Sequence, residues 1–116
     1  MISVVIPLLN ESKLVDRLLE DVFVNLKKTG ERFEVICVDD GSTDSTLLKL
    51  ISIKENNNEL KIISLSRNFG LQAAMTAGLE YAKGDFVVMM DGDFQDPPEL
   101  LPVLYEKITR DGADIV

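Results

Sequence analysis

Apolar and polar positions along the chain follow two alternating patterns. Segments 2–8 (ISVVIPL), 33–40 (FEVICVDD), 60–66 (LKIISLS) and 85–90 (DFVVMM) are short, rich in β-branched residues and almost continuously apolar, which predicts buried strands. Between them the apolar spacing changes to three and four. Leu14, Val15, Leu18, Leu19, Val22, Phe23 and Leu26 make one helical face, opened by Asn10, Glu11 and Ser12 and closed by Gly30. After the turn GSTDST, Leu47, Leu48, Leu50 and Ile51 begin a second buried helical face, which ENNNE at 55–59 breaks. The loop RNFG leads into a helix of small residues, LQAAMTAGLEYAKG, stopped by Gly84. Pro97, Pro98 and Glu99 begin a last helix that runs to Arg110. Pro102 must fall near its first turn, because deeper it would remove a backbone hydrogen bond. Segment 113–116 (ADIV) reads as the start of a fifth strand, so the pattern predicts that more chain follows.

Strands without polar alternation, joined by helices, predict an α/β domain: an open, mostly parallel sheet with helices on both faces. One domain over 1–116 is expected, with strand order 3-2-1-4. The order follows from where the polar residues fall. PLLNE follows the first strand, DDGSTD the second, SRNFG the third and DGDFQD the fourth. Carboxyl ends of parallel strands share one side, where ligands bind at a switch in strand order. The opposite loops, KTGERF, KENNNELK and AKGD, read as solvated connections.

Charge changes the picture next. Twelve Lys and Arg against twenty Asp and Glu give a net charge of −8, which argues against a general nucleic-acid binder. Histidine is absent, so Ser-His and Cys-His nucleophilic catalysis within this chain is excluded. Cys37 is the single cysteine, which rules out an intrachain disulfide and a thiolate metal site and reads as a buried structural thiol. The longest apolar run, VVIPLL, is far too short to span a bilayer, and no basic stretch precedes it as in a signal peptide.

The cluster MDGDFQDPPE puts Asp91, Asp93 and Asp96 close together with no interleaved cation. Hard cations such as Mg²⁺ or Mn²⁺ take such oxygens and share them with substrate phosphates. Asp91 and Asp93 can turn toward one ion if Gly92 lets the backbone bend, and Gln95 adds a neutral oxygen. Asp96, three positions before Glu99, reads as a helix N-cap.

VVIPLLNE, VDDGSTDST, SRNFGLQAAMTAGLEYAKGD and MDGDFQDPPE, in this order and spacing, resemble glycosyltransferase family 2. The nearest resemblance is to the polyprenyl-phosphate glycosyltransferases, the group that contains dolichyl-phosphate mannose synthase. It covers essentially the whole chain. A D-x-D alone is common in acidic proteins, whereas four motifs in register are specific. The resemblance implies a GT-A fold with a Rossmann-like nucleotide-binding half, a UDP- or GDP-sugar donor and a divalent metal. It also implies inverting transfer to a lipid phosphate. It places the full-length protein on the cytoplasmic face of a membrane and gives this segment alone little or no transfer activity.

Residue by residue, Pro7, Asn10 and Glu11 match the family's nucleotide-binding loop. Asp39 and Asp40 match an acidic pair in which one carboxylate accepts from the base ring N–H, with Ser42 in the turn beside it. Arg67 and Gly70 match a segment lining the nucleotide pocket, where Arg67 can face the diphosphate. Asp91, Asp93 and Gln95 match the metal motif: Asp93 for direct coordination, Asp91 for a ribose or water-mediated contact, both counted as catalytic. Leu9 stands where many relatives carry a Tyr that stacks on the base, and Leu71 where they often carry a polar or basic residue. Three alternatives remain: a saccharide acceptor, a nucleotide-binding protein with a degenerate site, and a Mg²⁺-binding receiver-like signalling domain. The second is disfavoured by Asp91, Asp93 and Arg67. The third needs its acidic pair after the first strand, where this chain has PLLNE.

Overall fold

The computed structural model describes residues 1–90 and 97–111. Strands and helices alternate: β1 (Ile2–Leu8), α1 (Val15–Lys27), β2 (Phe33–Asp39), α2 (Thr46–Lys54), β3 (Leu60–Ser64), α3 (Leu71–Tyr81), β4 (Phe86–Met89) and α4 (Leu100–Asp111). The four strands form a parallel sheet in the order β3-β2-β1-β4, as expected. Segment 113–116, read as a strand, lies outside the described residues.

The pleat divides the core into two layers. Ile2, Val4, Ile6 and Leu8 of β1, with Val35 and Cys37 of β2, pack under Leu18, Leu19, Val22 and Leu26 of α1, Leu50 of α2 and Leu101 of α4. Cys37 is fully buried, and burial pushes its thiol pKa up, which makes it inert. Val5, Ile36 and Val38 turn the other way and meet Ala74 and Ala77 of α3. The small residues let α3 sit close: a Cβ on Gly78 would come within 2.3 Å of Val5 Cγ1.

Several boundaries differ from expectation. The regular helix after β1 starts at Val15, one turn beyond Asn10, Glu11 and Ser12: the Glu11 carbonyl accepts from the Leu14 and Val15 N–H groups, while the N–H groups of residues 10–12 donate to the turn at 42–46. Of the four residues expected to begin the buried face of α2, only Leu50 is buried; Leu48 and Ile51 are exposed. This helix lies over the edge strand β3 and its neighbour β2, with α1 beside it, so a single stripe of it meets the core. Gly84 does not stop α3. That helix ends at Tyr81, Ala82 is extended, and Gly84 runs so close to the start of β1 that a Cβ would lie 2.7 Å from the Met1 carbonyl oxygen. Pro102 falls in the first turn of α4, where its missing N–H is harmless.

A polar network at the amino end of the sheet was not foreseen. Glu34, 2% exposed, accepts from Ser3 Oγ at 2.5 Å, Lys61 Nζ at 2.7 Å and the Lys83 backbone N–H at 2.7 Å. Gly84 N–H donates to Ser3 Oγ. Burial opposes ionisation of Glu34, but these bonds together outweigh it and hold the carboxyl below its ordinary pKa. The network ties the α3–β4 connection to β1 and β2.

Candidate functional site

The chain winds β1, β2, β3 to one side and then returns to place β4 beside β1. The switch in strand order therefore lies between β1 and β4. Pro7 sharpens it. Met90 N–H donates to the Val5 carbonyl, and Pro7 has no N–H with which to carry the β1–β4 ladder further. On its other side β1 stays paired with β2 as far as Leu8 opposite Asp39. The crevice thus opens beside Pro7, which is buried, and next to Asp39.

Asp39 and Asp40 are both buried, at 2% and 4% exposure. Their carboxylates do different work. Asp40 Oδ1 accepts from Phe69 N–H at 2.8 Å and Oδ2 from Gly70 N–H at 3.0 Å, so it fastens the β3–α3 loop. Gly41 lets this loop press down: its φ is +72°, and a Cβ there would lie 2.4 Å from the Arg67 carbonyl carbon. Gly70, at φ +102°, then turns the chain into α3. Asp39 Oδ1 is buried with no hydrogen-bond partner among the described residues. A buried polar oxygen left so is costly unless a donor arrives from outside.

The β1–α1 loop is laced to the β2–α2 turn. Asn10, at φ +54°, donates its N–H to Ser42 Oγ, and its Oδ1 accepts from Thr43 N–H at 2.8 Å and Asp44 N–H at 3.3 Å. Glu11 N–H donates to Thr46 Oγ1 and Ser12 N–H to Asp44 Oδ2. Asp44 Oδ1 also accepts from Thr46 N–H and Oγ1. These bonds, the Thr46 hydroxyl foremost, hold the Asp44 carboxyl down to about 2. Lys49 Nζ reaches the Ser12 carbonyl and pairs with Asp16 at 3.4 Å. The sequence marked Asn10, Glu11 and Ser42 but missed Asp44, Thr46 and Lys49; the Asp-x-Thr spacing of a capped turn was the available signal.

Arg67 and Phe69 are exposed on the same loop, with Arg67 Cζ 4.8 Å from the ring centroid of Phe69. The carboxyl ends of β1, β2 and β3 thus gather Pro7, Asn10, Glu11, Asp39, Asp40, Ser42, Arg67 and Gly70 on one side of the sheet. Leu9, where the resemblance led one to look for an aromatic, is 39% exposed at this end. Asp91, Asp93, Gln95 and Asp96 lie outside the described residues, and among those described no three Asp, Glu, His or Cys side chains gather to hold a metal.

A match to the family described as glycosyl transferase family 2 spans residues 3–116. The chain belongs to glycosyl transferase family 2. An uncharacterized glycosyltransferase of Synechocystis sp. is 47% identical over 99% of the chain and 36% of its own length. The dodecaprenyl-phosphate galacturonate synthase of Rhizobium johnstonii is 38% identical over 99% of the chain and 34% of its own length. In structure, S. aureus TarS 1-349 in complex with UDP-GlcNAc superposes with a TM-score of 0.78 at 32% identity, over 94% of this chain and 31% of that one. The family 2 chain therefore has the GT-A, Rossmann-like architecture and spans about a third of the length of these relatives. The family leaves no place for the receiver-like alternative. Among the described residues no helix is long and apolar enough to cross a membrane.

Proposed function

We propose that residues 1–116 are the donor-binding part of a glycosyltransferase that moves a sugar from a nucleoside diphosphate to a polyprenyl phosphate. The observation that carries this reading is Asp39 Oδ1, buried and without a donor among the described residues at the carboxyl end of a central strand. A nucleobase ring N–H is a neutral, directional donor of the required kind. The uracil and guanine rings both offer one. Uridine is the first choice because a protein 32% identical to this chain is seen with UDP-GlcNAc. Pro7 ends the β1–β4 ladder near Asp39, Asp40 fastens the β3–α3 loop through the Phe69 and Gly70 N–H groups, and Arg67 of that loop supplies a positive charge for the diphosphate at an end of the sheet that is otherwise acidic.

Asp91, Asp93 and Gln95 present carboxylate and amide oxygens, the donor set that suits Mg²⁺ or Mn²⁺. A cation held by them would supply positive charge that stabilises the departing diphosphate. The acceptor reading rests on relatives such as the dodecaprenyl-phosphate galacturonate synthase, 38% identical to this chain. A phosphate oxygen is already anionic at neutral pH, so it attacks the anomeric carbon without a strong general base, from the face opposite the leaving group. The anomeric carbon–oxygen bond to the diphosphate breaks and the configuration inverts. This chemistry fits the absence of histidine from the chain. With a lipid acceptor the full-length enzyme would work at a membrane, on the cytoplasmic face that the resemblance implies.

Calorimetric titration of UDP and GDP into the full chain, with Mn²⁺ and with EDTA, tests the reading. It requires metal-dependent binding of one of them, with UDP the tighter. Binding of neither nucleotide contradicts it, and equal affinity in EDTA removes the cation as the bridge between carboxylates and diphosphate.

A further inference from the structure

We propose that Asn10 is a positioning residue, a peg that locks the β1–α1 loop to the β2–α2 turn before any nucleotide arrives, and not a ligand-contacting group. Its functional half rests on the nucleotide reading above. The hydrogen bonds carry the argument. Asn10 Oδ1 accepts from Thr43 N–H, Thr43 Oγ1 and Asp44 N–H, so its acceptor capacity is filled from within the protein. The Asn10 backbone N–H is filled too, by Ser42 Oγ at 2.9 Å.

The same lacing removes the loop from phosphate binding. Three successive backbone N–H groups at the end of a first strand are the usual raw material of a phosphate cradle. Here those of Asn10, Glu11 and Ser12 point at Ser42 Oγ, Thr46 Oγ1 and Asp44 Oδ2. Asp44 is itself a carboxylate and faces this loop, which makes the spot unfavourable for an anion. A diphosphate must therefore be held away from residues 10–12, and the loop contributes by its fixed shape.

The backbone of Asn10 explains why this residue type stands there. Among the described residues it is the only non-glycine with positive φ, at +54°. Asn tolerates that region better than most residues because its short amide bonds locally. Glycine would adopt the same turn more cheaply but would lack Oδ1, leaving the Thr43 and Asp44 N–H groups without it. The position thus demands both the backbone conformation and the acceptor. What the peg protects is the distance between the mouths of β1 and β2, where Leu8 lies opposite Asp39.

Two variants separate these demands. Asn10→Gly keeps the turn and removes the acceptor; Asn10→Asp keeps an acceptor oxygen and removes the Nδ2 donor. Amide hydrogen exchange at Thr43 and Asp44 is read in the ligand-free full chain. Uridine, which carries no phosphate for the added charge of Asp to repel, is titrated in parallel. Asn10→Gly should lose amide protection and bind uridine about tenfold more weakly, as expected for one well-made bond's worth of preorganisation. Asn10→Asp should restore most of the protection and more affinity than Asn10→Gly, short of the parent because its charge lies beside the Asp44 carboxylate. The proposal is overturned if Asn10→Gly keeps parental protection and affinity. It is equally overturned if Asn10→Asp keeps protection yet binds uridine as poorly as Asn10→Gly, because Nδ2 would then be a direct ligand contact. If the parent itself binds neither uridine nor UDP, the nucleotide reading fails, and the exchange data alone still decide whether the peg exists.

Discussion

Asp39 and Asp40 are adjacent and both buried, yet Asp40 spans the N–H groups of Phe69 and Gly70 while Asp39 Oδ1 meets no donor among the described residues. The pleat explains the difference. Successive residues of β2 face opposite layers: Val35 and Cys37 toward α1, Ile36 and Val38 toward α3. Continued by two residues, this alternation puts Asp40 on the side where the β3–α3 loop arrives and Asp39 on the other.

The first prediction follows from that division. Asp40→Ala takes the acceptor from the Phe69 N–H and one of two acceptors from the Gly70 N–H, which keeps Asn68 Oδ1, and should cost about 1–2 kcal/mol, read as a fall in urea midpoint. Asp39→Asn should be neutral or stabilising, since the buried Oδ1 has no donor among the described residues to lose. Equal destabilisation by both variants would show that Asp39 also has a structural partner.

A second prediction concerns Glu34. Its folded pKa is depressed, so its contribution to stability is fully present above the ordinary glutamate value of 4.5 and is lost as pH falls through the lower folded-state value. Glu34→Gln should lower stability at neutral pH by about 1–2 kcal/mol, discounted because Lys61 is 45% exposed. It should also flatten the pH dependence of the urea midpoint below pH 4.5. An unchanged acid slope would remove Glu34 as the titrating group.

Third, Gly78→Ala should destabilise by about 1–3 kcal/mol, an overpacking cost, because its Cβ would meet Val5 Cγ1 at 2.3 Å. Val5→Ala in the same chain should relieve part of that cost. Thermal melts of the two single variants and the double variant form a cycle, and simple additivity would contradict the contact.

Fourth, Asp93→Asn should abolish metal-dependent nucleotide binding with little change in folding, since a neutral amide is a poorer ligand for a hard cation. Asp96→Asn should keep both, because Asn also caps helices well. Calorimetry with Mn²⁺ and UDP reads the first effect and a thermal melt the second. If Asp96→Asn were the variant to lose the metal, the roles within the cluster would be reversed.

Much of this was legible in the sequence. Four apolar runs, each ending in polar residues, pointed to a parallel sheet with those ends on one side, and the order β3-β2-β1-β4 sets the ends of β1 and β4 beside each other. The exposure of Leu48 and Ile51 was not legible, because helical spacing marks a face but not whether enough neighbours exist to cover it. Nor was the Glu34 network. A glutamate within an apolar strand signals that a partner is needed. The register that sets Ser3 opposite Glu34, and the edge strand that brings Lys61, are long-range facts. The lacing of Asn10 to the turn at 42–46 was hidden for the same reason, since bonds spanning more than thirty residues leave no local pattern.

The central claim is that Asp39 receives a nucleobase ring N–H, and comparing UDP with its N3-methyl analogue tests it most directly. Both are titrated with Mn²⁺ into the parent chain and into Asp39→Asn. Methylation removes the donor, so the parent should bind the analogue at least about tenfold more weakly than UDP, the scale of a hydrogen bond to a charged group. Asn keeps a neutral acceptor oxygen in that place, so in Asp39→Asn the difference should shrink clearly, with UDP binding reduced toward the analogue's. A parent chain that binds both equally well, or an Asp39→Asn chain that discriminates as strongly as the parent, would contradict the account.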